Sequence, residues 1–200
     1  MPRSKEAFES MRETTRQKIE AAALPLFARK GLSVTVGEIT VAAGLSKGLL
    51  YNHYPSKEAL ILELMRRAAH ISAQTIKAVF EKDTFAAEKI KQITAMMCQM
   101  ITAVDSEGIE YFMFMVQAGM SGMFLQEDVY NAENPNPNET FARIISAGQS
   151  EGSVVGGEPM QLATVYWAAV QGLCGYAMTG MKLSVNLQTL NRILLKENFI

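Results

Sequence analysis

Between Ser46 and His53 the chain places a hydroxyl, an ammonium, a phenol, an amide and an imidazole, and Lys57 follows one helical turn later. All of these groups can donate hydrogen bonds, so their shared chemistry is recognition of an oxygen-rich, anionic surface. The run Ser46-Lys47-Gly48-Leu49 has the mix that a helix in a DNA major groove requires. Lys47 can reach guanine O6 and N7 or a phosphate, Gly48 permits close approach, and Leu49 can meet a thymine methyl. Tyr51, Asn52, His53 and Lys57 suit backbone phosphates. Thr35 can add its hydroxyl and the free amides of a helix start as a small anion site. Each residue also has an ordinary structural reading: Leu49 as an exposed leucine, Lys47 as a solvated charge, His53 as packing against the preceding helix. Catalysis has no such cluster, because the chain has only two histidines, no nucleophile–base pair and no phosphate loop. Cys98 and Cys174 stand far apart in apolar surroundings, without a metal-ligand spacing, and read as reduced, buried thiols. The expectation is therefore a non-enzyme with no cofactor and no metal.

These residues need a scaffold, and the pattern around them is helical throughout. No segment alternates as a strand and no repeat is visible, so the fold is expected to be all-α. A first helix is predicted over residues 15–30, with Ile19, Ala22, Ala23, Leu26 and Phe27 on one apolar face and Gly31 as its stop. Pro25 lies inside it and should bend it without breaking it. Thr35 then caps a short helix over residues 37–43, Gly44 makes a turn, and Ser46 caps a second over residues 46–54. Ala42 and Ala43 are small where two helices should cross. This is helix-turn-helix grammar. Pro55 ends it, and Ser56 caps a long helix to about residue 82, with Leu60, Leu64, Ile71 and the stretch 76–80 facing inward. Further helices are predicted over residues 86–104, 107–123, 139–148, 158–179 and 187–198. The Asn- and Pro-rich stretch 131–138 and the Gly-rich stretch 152–159 read as loops. The expected division is a helix-turn-helix domain over residues 1–55 and a larger helical domain over residues 56–200.

Charge separates the same two parts. Residues 1–70 carry 11 Lys and Arg against 7 Asp and Glu, while the remainder carries 8 against 13. The first part can face a polyanion that the second part repels. Residues 1–10 have no apolar core, which excludes a secretory signal and implies a cytoplasmic protein. Residues 159–181 lack any charge and are long enough to span a bilayer. They also hold Gln161, Thr164, Gln171, Thr179 and several glycines without a basic flank, so burial between protein surfaces is the better reading, with no membrane partner.

The run TVGEITVAAGLSKGLLYNHYPSKEAL, residues 35–60, resembles the DNA-binding signature of the tetracycline-repressor (TetR) family. LFARKG, residues 26–31, is similar to the end of that family's first helix. The match at Ala43-Gly44, Ser46, Gly48, Leu50-Tyr51, His53 and Ser56-Lys57-Glu58 covers about a quarter of the chain. The resemblance implies that Thr35, Lys47, Gly48, Leu49, Tyr51, Asn52, His53 and Lys57 touch DNA, mostly its phosphates. It also implies a two-fold homodimer on a near-palindromic operator, acting as a repressor. One departure is Gly37, where some members place a base-reading arginine, so base readout is expected to rest on the recognition helix.

The rest of the chain resembles no signature of that family. Ten of the thirteen methionines lie beyond residue 71, clustered as Met96, Met97, Met100 and as Met113, Met115, Met120, Met123. Most should be core filler, but thioethers also line adaptable cavities. An effector site is expected where the faces bearing Met97 and Met100, Phe114 and Gln117, and Trp167 and Gln171 meet, each pair mixing or extending apolar and polar groups at helical spacing. With no carboxylate cluster there, a mostly apolar or aromatic small molecule fits best. The uncharged helix and the last helix, with Leu187, Leu190, Ile193 and Leu194, could pair with a second copy as a four-helix bundle.

Overall fold

The computed structural model describes residues 5–103, 107–122, 129–131, 134–181 and 186–200, without the side chains of residues 5 and 6. Its regular elements are α1 (Lys5–Lys30), α2 (Val36–Ala43), α3 (Lys47–His53), α4 (Lys57–Phe80), α5 (Ala86–Thr102), α6 (Glu107–Met120), α7 (Pro137–Ser150), α8 (Pro159–Met178) and α9 (Leu187–Asn191), then a 3₁₀ turn, Glu197–Phe199. Among the described residues there is no strand, only an isolated antiparallel bridge between Val154 and Leu195. No helix among them is long and apolar enough to cross a membrane.

Local chemistry explains the boundaries. Thr35 and Glu38 form a reciprocal capping box at the start of α2, and Gly44 ends that helix at φ 65°, the left-handed conformation glycine adopts without strain. Ser46 caps α3 by accepting from Leu49 N–H at 3.2 Å. Asn136 and Glu158 cap α7 and α8, each followed by a proline in the first turn, where its missing N–H costs nothing.

The contacts form two units. The first comprises Met1–Arg67 and Glu110–Gln126. Its core is built from Ile19, Ala23 and Phe27 of α1, Ile39 of α2, Leu50 of α3, Leu60 and Leu64 of α4, and Phe114 of α6. The Phe27 and Phe114 rings lie 5.9 Å apart. The second comprises Ala68–Ile109 and Glu127–Ile200, in which α5, α7, α8 and α9 pack on one another. At its centre Phe141 meets Tyr166 at 5.0 Å and Trp167 at 5.2 Å, and the Tyr166 hydroxyl pairs with Thr94 Oγ1 at 3.0 Å. Gly148 is required there, because a Cβ would overlap Val154.

Several expectations change. The first helix begins at Lys5, well before residue 15, and runs on through Pro25. Ala21, whose carbonyl loses its amide to Pro25, is exposed, so water can satisfy it. Ala42 faces solvent and is not at a helix crossing. On α4, Ile76 and Val79 point inward but Ile71 and Phe80 do not, because a strict helical period carries them off the buried stripe. The predicted last helix over residues 187–198 stops after Asn191. Val155 N–H donates to Leu194 O at 2.9 Å and Lys196 N–H to Ser153 O at 3.0 Å, and this backbone pairing replaces further helical turns. Leu190, Leu194 and Leu195 are consequently buried within the chain itself. Residues 104 and 123, assigned to helix ends from the sequence, and Met123 with them, lie outside the described residues.

Candidate nucleic-acid interface

The second helix of the helix-turn-helix, α3, holds its polar residues outward by burying a single leucine. Leu50 is the buried residue of α3, and the seven-residue helix turns Ser46, Lys47, Gly48, Tyr51 and Asn52 to solvent. Leu49 is half-buried. A Cβ at Gly48 would meet nothing within 4 Å, so no contact inside the chain requires glycine there. Glycine within a helix costs roughly 0.5–1 kcal/mol relative to alanine. Lys47 lies across the first turn of α2: a Cβ on Gly37 would sit 3.6 Å from its Cε. The position where an arginine was absent thus receives a lysine from the neighbouring helix.

Of the expected contacts, Thr35 and Lys57 also bond within the fold, and His53 is half-buried. Thr35 is exposed, but its hydroxyl donates to Glu38 Oε2 at 3.0 Å and its N–H to the same oxygen at 2.9 Å. The anion at this helix start is therefore the chain's own carboxylate. The Thr35 amide, then Lys30 at 3.0 Å, holds Glu38 down to about 2. Lys57 Nζ donates to Leu32 O at 2.8 Å and Val34 O at 3.2 Å, pinning the start of α4 to the loop before α2. His53 is half-buried beside α1, and its Nδ1 is buried with no hydrogen-bond partner. Burial, with Arg12 and Arg16 nearby, lowers its pKa, so it is neutral at pH 7.

Sequence reasoning missed two features. Val41 of α2 is 83% exposed, an apolar side chain beside the donor-rich helix. Glu20 is buried in the first unit at 7% exposure. It accepts from the Tyr54 hydroxyl, and its other oxygen pairs with Arg67 at 2.9 Å. Arg16, 3.6 Å from Glu20, also pairs with Glu63 at 3.1 Å and lies over the Tyr54 ring at 5.6 Å from the centroid. The signal was present, since Glu20 stands four and seven residues before Leu24 and Phe27, on their buried stripe.

The expected effector residues are divided between the units. Met97 and Met100 of α5 and Trp167 and Gln171 of α8 are half-buried in the second unit, on helices that pack together. Phe114 and Gln117 belong to the first: Phe114 is fully buried against Phe27, and Gln117 Oε1 lies 3.3 Å from where Gly31 would carry a Cβ. Cys174 is buried, as expected, and burial pushes its thiol up to about 12; Cys98 is only half-buried, contrary to the expectation, and partial burial raises its thiol as well. Among the described residues, no three His, Cys, Asp or Glu side chains gather as metal ligands.

A basic unit of three short-linked helices whose third presents donors and a solvent-facing glycine defines a helix-turn-helix transcriptional regulator. Residues 19–64 match the family model for bacterial regulatory proteins of the tetR family. The helix-turn-helix segment of the chain is thus of the TetR-family type. It is 24% identical over 139 residues to the HTH-type transcriptional repressor KstR2 of Mycolicibacterium smegmatis, an alignment covering 69% of this chain and 66% of that protein. The MbdR regulator from Azoarcus sp. CIB superposes with a TM-score of 0.71 at 19% identity, over 90% of this chain and 96% of that one. A transcriptional regulator from Saccharomonospora viridis in complex with choline superposes with a TM-score of 0.65 at 23% identity, over 90% and 93%.

Proposed function

We propose that this regulator is a cytoplasmic, non-catalytic repressor that binds a near-palindromic operator as a homodimer and is released by a small, mostly apolar molecule. The observation that carries the DNA-reading half is Gly48, a helical glycine open to solvent between Lys47 and Leu49. Ser46, Lys47, Gly48, Leu49, Tyr51 and Asn52 form the reading surface, with Val41 beside it. Thr35, His53 and Lys57 act there by shaping the backbone that meets phosphates, since their own polar groups are already engaged or half-buried.

Dimerisation is assigned to α8. Its outward residues Thr164, Val165, Ala168, Gly172 and Tyr176 carry no charge and recur at helical spacing, and its small residues allow two helices to approach closely. The last helix contributes less than its sequence suggested, because Leu190 and Leu194 are already buried within the chain and only Leu187 is left exposed. Two recognition helices about 34–36 Å apart would then read successive major grooves. The effector is assigned to the second unit, near Met97, Met100, Trp167 and Gln171. Phe114 and Gln117 are not included, since they serve the first unit. Release requires the effector to bind the DNA-incompetent form more tightly than the competent one.

The test is selection of bound sequences from a random duplex pool by the purified chain at two salt concentrations. Enrichment of a palindrome supports the dimeric repressor. Salt-sensitive binding without an enriched motif overturns it in favour of a helical ligand-binding protein with a basic patch. Charge reversal by Lys47→Glu should abolish specific binding while leaving thermal unfolding unchanged. Retained affinity for the selected duplex would remove Lys47 from the reading surface.

A further inference from the structure

A buried carboxylate in a helical core demands a reason. Glu20 occupies a place on α1 that an apolar side chain could fill, and exchanging buried ion pairs for apolar residues is often neutral or stabilising. Stability alone therefore explains Glu20 poorly, whereas geometry explains it well. Its two oxygens face different elements: Oε1 receives the hydroxyl of Tyr54, and Oε2 receives Arg67 of α4 at 2.9 Å. Tyr54 is the residue on which α3 ends, its N–H donating to Leu50 O at 2.9 Å. Arg67 is the last residue of the first unit before the chain passes into the second at Ala68, on a helix that continues to Phe80. Tyr54 stays protonated, its pKa raised by burial and then by the Glu20 carboxylate, so the bond it donates persists at all physiological pH.

We infer that Glu20 is a positioning residue for DNA recognition, holding the end of α3 through Tyr54 and tying it to the placement of α4 through Arg67. This rests on the DNA-reading function proposed for α3. A change in the placement of α4 that drew Arg67 from Glu20 would remove one of two counter-charges from a buried carboxylate and so bear on Tyr54 and the end of α3. Arg16, 3.6 Å from Glu20 and 3.1 Å from Glu63, is the other.

The experiment uses the full chain and the duplex it enriches from a random pool. Arg67→Ala should weaken binding to that duplex roughly tenfold, the scale of one charge-assisted hydrogen bond, with the slope of affinity against salt unchanged. Arg67→Lys should restore most of the loss. Tyr54→Phe, which removes only a hydroxyl, should weaken binding similarly, and the double variant Tyr54→Phe with Arg67→Ala should lose no more than either alone, because both act through one carboxylate. Unchanged affinity in the single variants, additive losses, or a salt slope reduced by about one would each overturn the inference, the last by making Arg67 a phosphate contact. A wild-type chain that enriches no sequence would overturn this inference and the DNA-reading function together. A wild-type chain with a clear motif that Arg67→Ala and Tyr54→Phe bind undiminished would overturn this inference alone.

Discussion

The two units are held by different physics. The first buries aliphatic side chains and Phe27 but also a carboxylate, two arginine contacts and a phenol, and its short helices depend on caps at Thr35, Ser46 and Gly44. The second is centred on Phe141, Tyr166 and Trp167, and its buried polar side chains, Thr94, Thr140, Ser153 and Asn191 among the described residues, are all uncharged. Directional bonds fix where an element ends, whereas apolar contact rewards burial with little regard to exact placement. A recognition helix must be held at a defined position. The effector site proposed for the second unit would instead need to tolerate repacking around a guest.

The largest test of that contrast is Phe141→Ala. It should cost about 3–5 kcal/mol of stability, read by urea unfolding through the fluorescence of Trp167, the chain's one tryptophan. A cost below about 1 kcal/mol would mean that the aromatic cluster is not the unit's core. Gly148→Ala probes the same unit by crowding Val154, and overpacking of this kind should cost about 1–3 kcal/mol in the same measurement.

In the first unit the informative change separates stability from function. Gly48→Ala should raise thermal stability by about 0.5–1 kcal/mol, because a methyl group there meets nothing, yet it should weaken binding to the selected duplex. Unaltered binding would show that the open glycine faces no DNA backbone. Ser46→Ala should instead lower stability by about 1 kcal/mol through loss of the α3 cap.

The smallest effects are in the pH profile. Glu38, held at about 2 against an ordinary 4.5 by the Thr35 amide and Lys30, contributes stability in full above pH 4.5 and loses it as pH falls toward 2. Glu38→Gln should flatten that acid limb slightly, since the group is exposed. Tyr166, pushed up to about 12 by burial, contributes below pH 10 and loses its contribution as pH rises toward 12. Tyr166→Phe should remove that alkaline loss. Urea midpoints across pH 2–5 and 9–12 would show either limb, and an unchanged limb in a variant would assign the titration elsewhere.

Much of the first unit was legible in the residues themselves. Thr35, Gly44, Ser46 and Pro55 each specify a backbone event through their own chemistry, so the boundaries of α2 and α3 followed from local rules. The outward donors of α3 followed from helical period once Leu50 was placed inward. The side-chain partners did not follow. Thr35, Lys57 and His53 were read as phosphate contacts because each is a donor near a helix start or end; the Thr35 bonds to Glu38 are local, but the groups beside the other two are distant in sequence, Leu32 and Val34 for Lys57 and Arg12 and Arg16 for His53.

The rest was decided by packing between remote segments. Residues 187–198 have a helical apolar period, but pairing of Val155 with Leu194 and Ser153 with Lys196 ended the helix at Asn191. Phe114 and Gln117 carried the same mixed pattern as Trp167 and Gln171, and no local rule could assign one pair to the unit of α1 and the other to the unit of α5. Glu20 could be seen to lie on a buried stripe, but only the fold brought Tyr54 and Arg67 to its two oxygens. What the sequence alone determined about this protein is its all-helical class, its helix-turn-helix and the surface that α3 presents, because these depend on neighbours within a turn or two of chain. The tertiary structure alone decided which remote residues satisfy each buried polar group, since that choice belongs to contacts the local pattern does not encode.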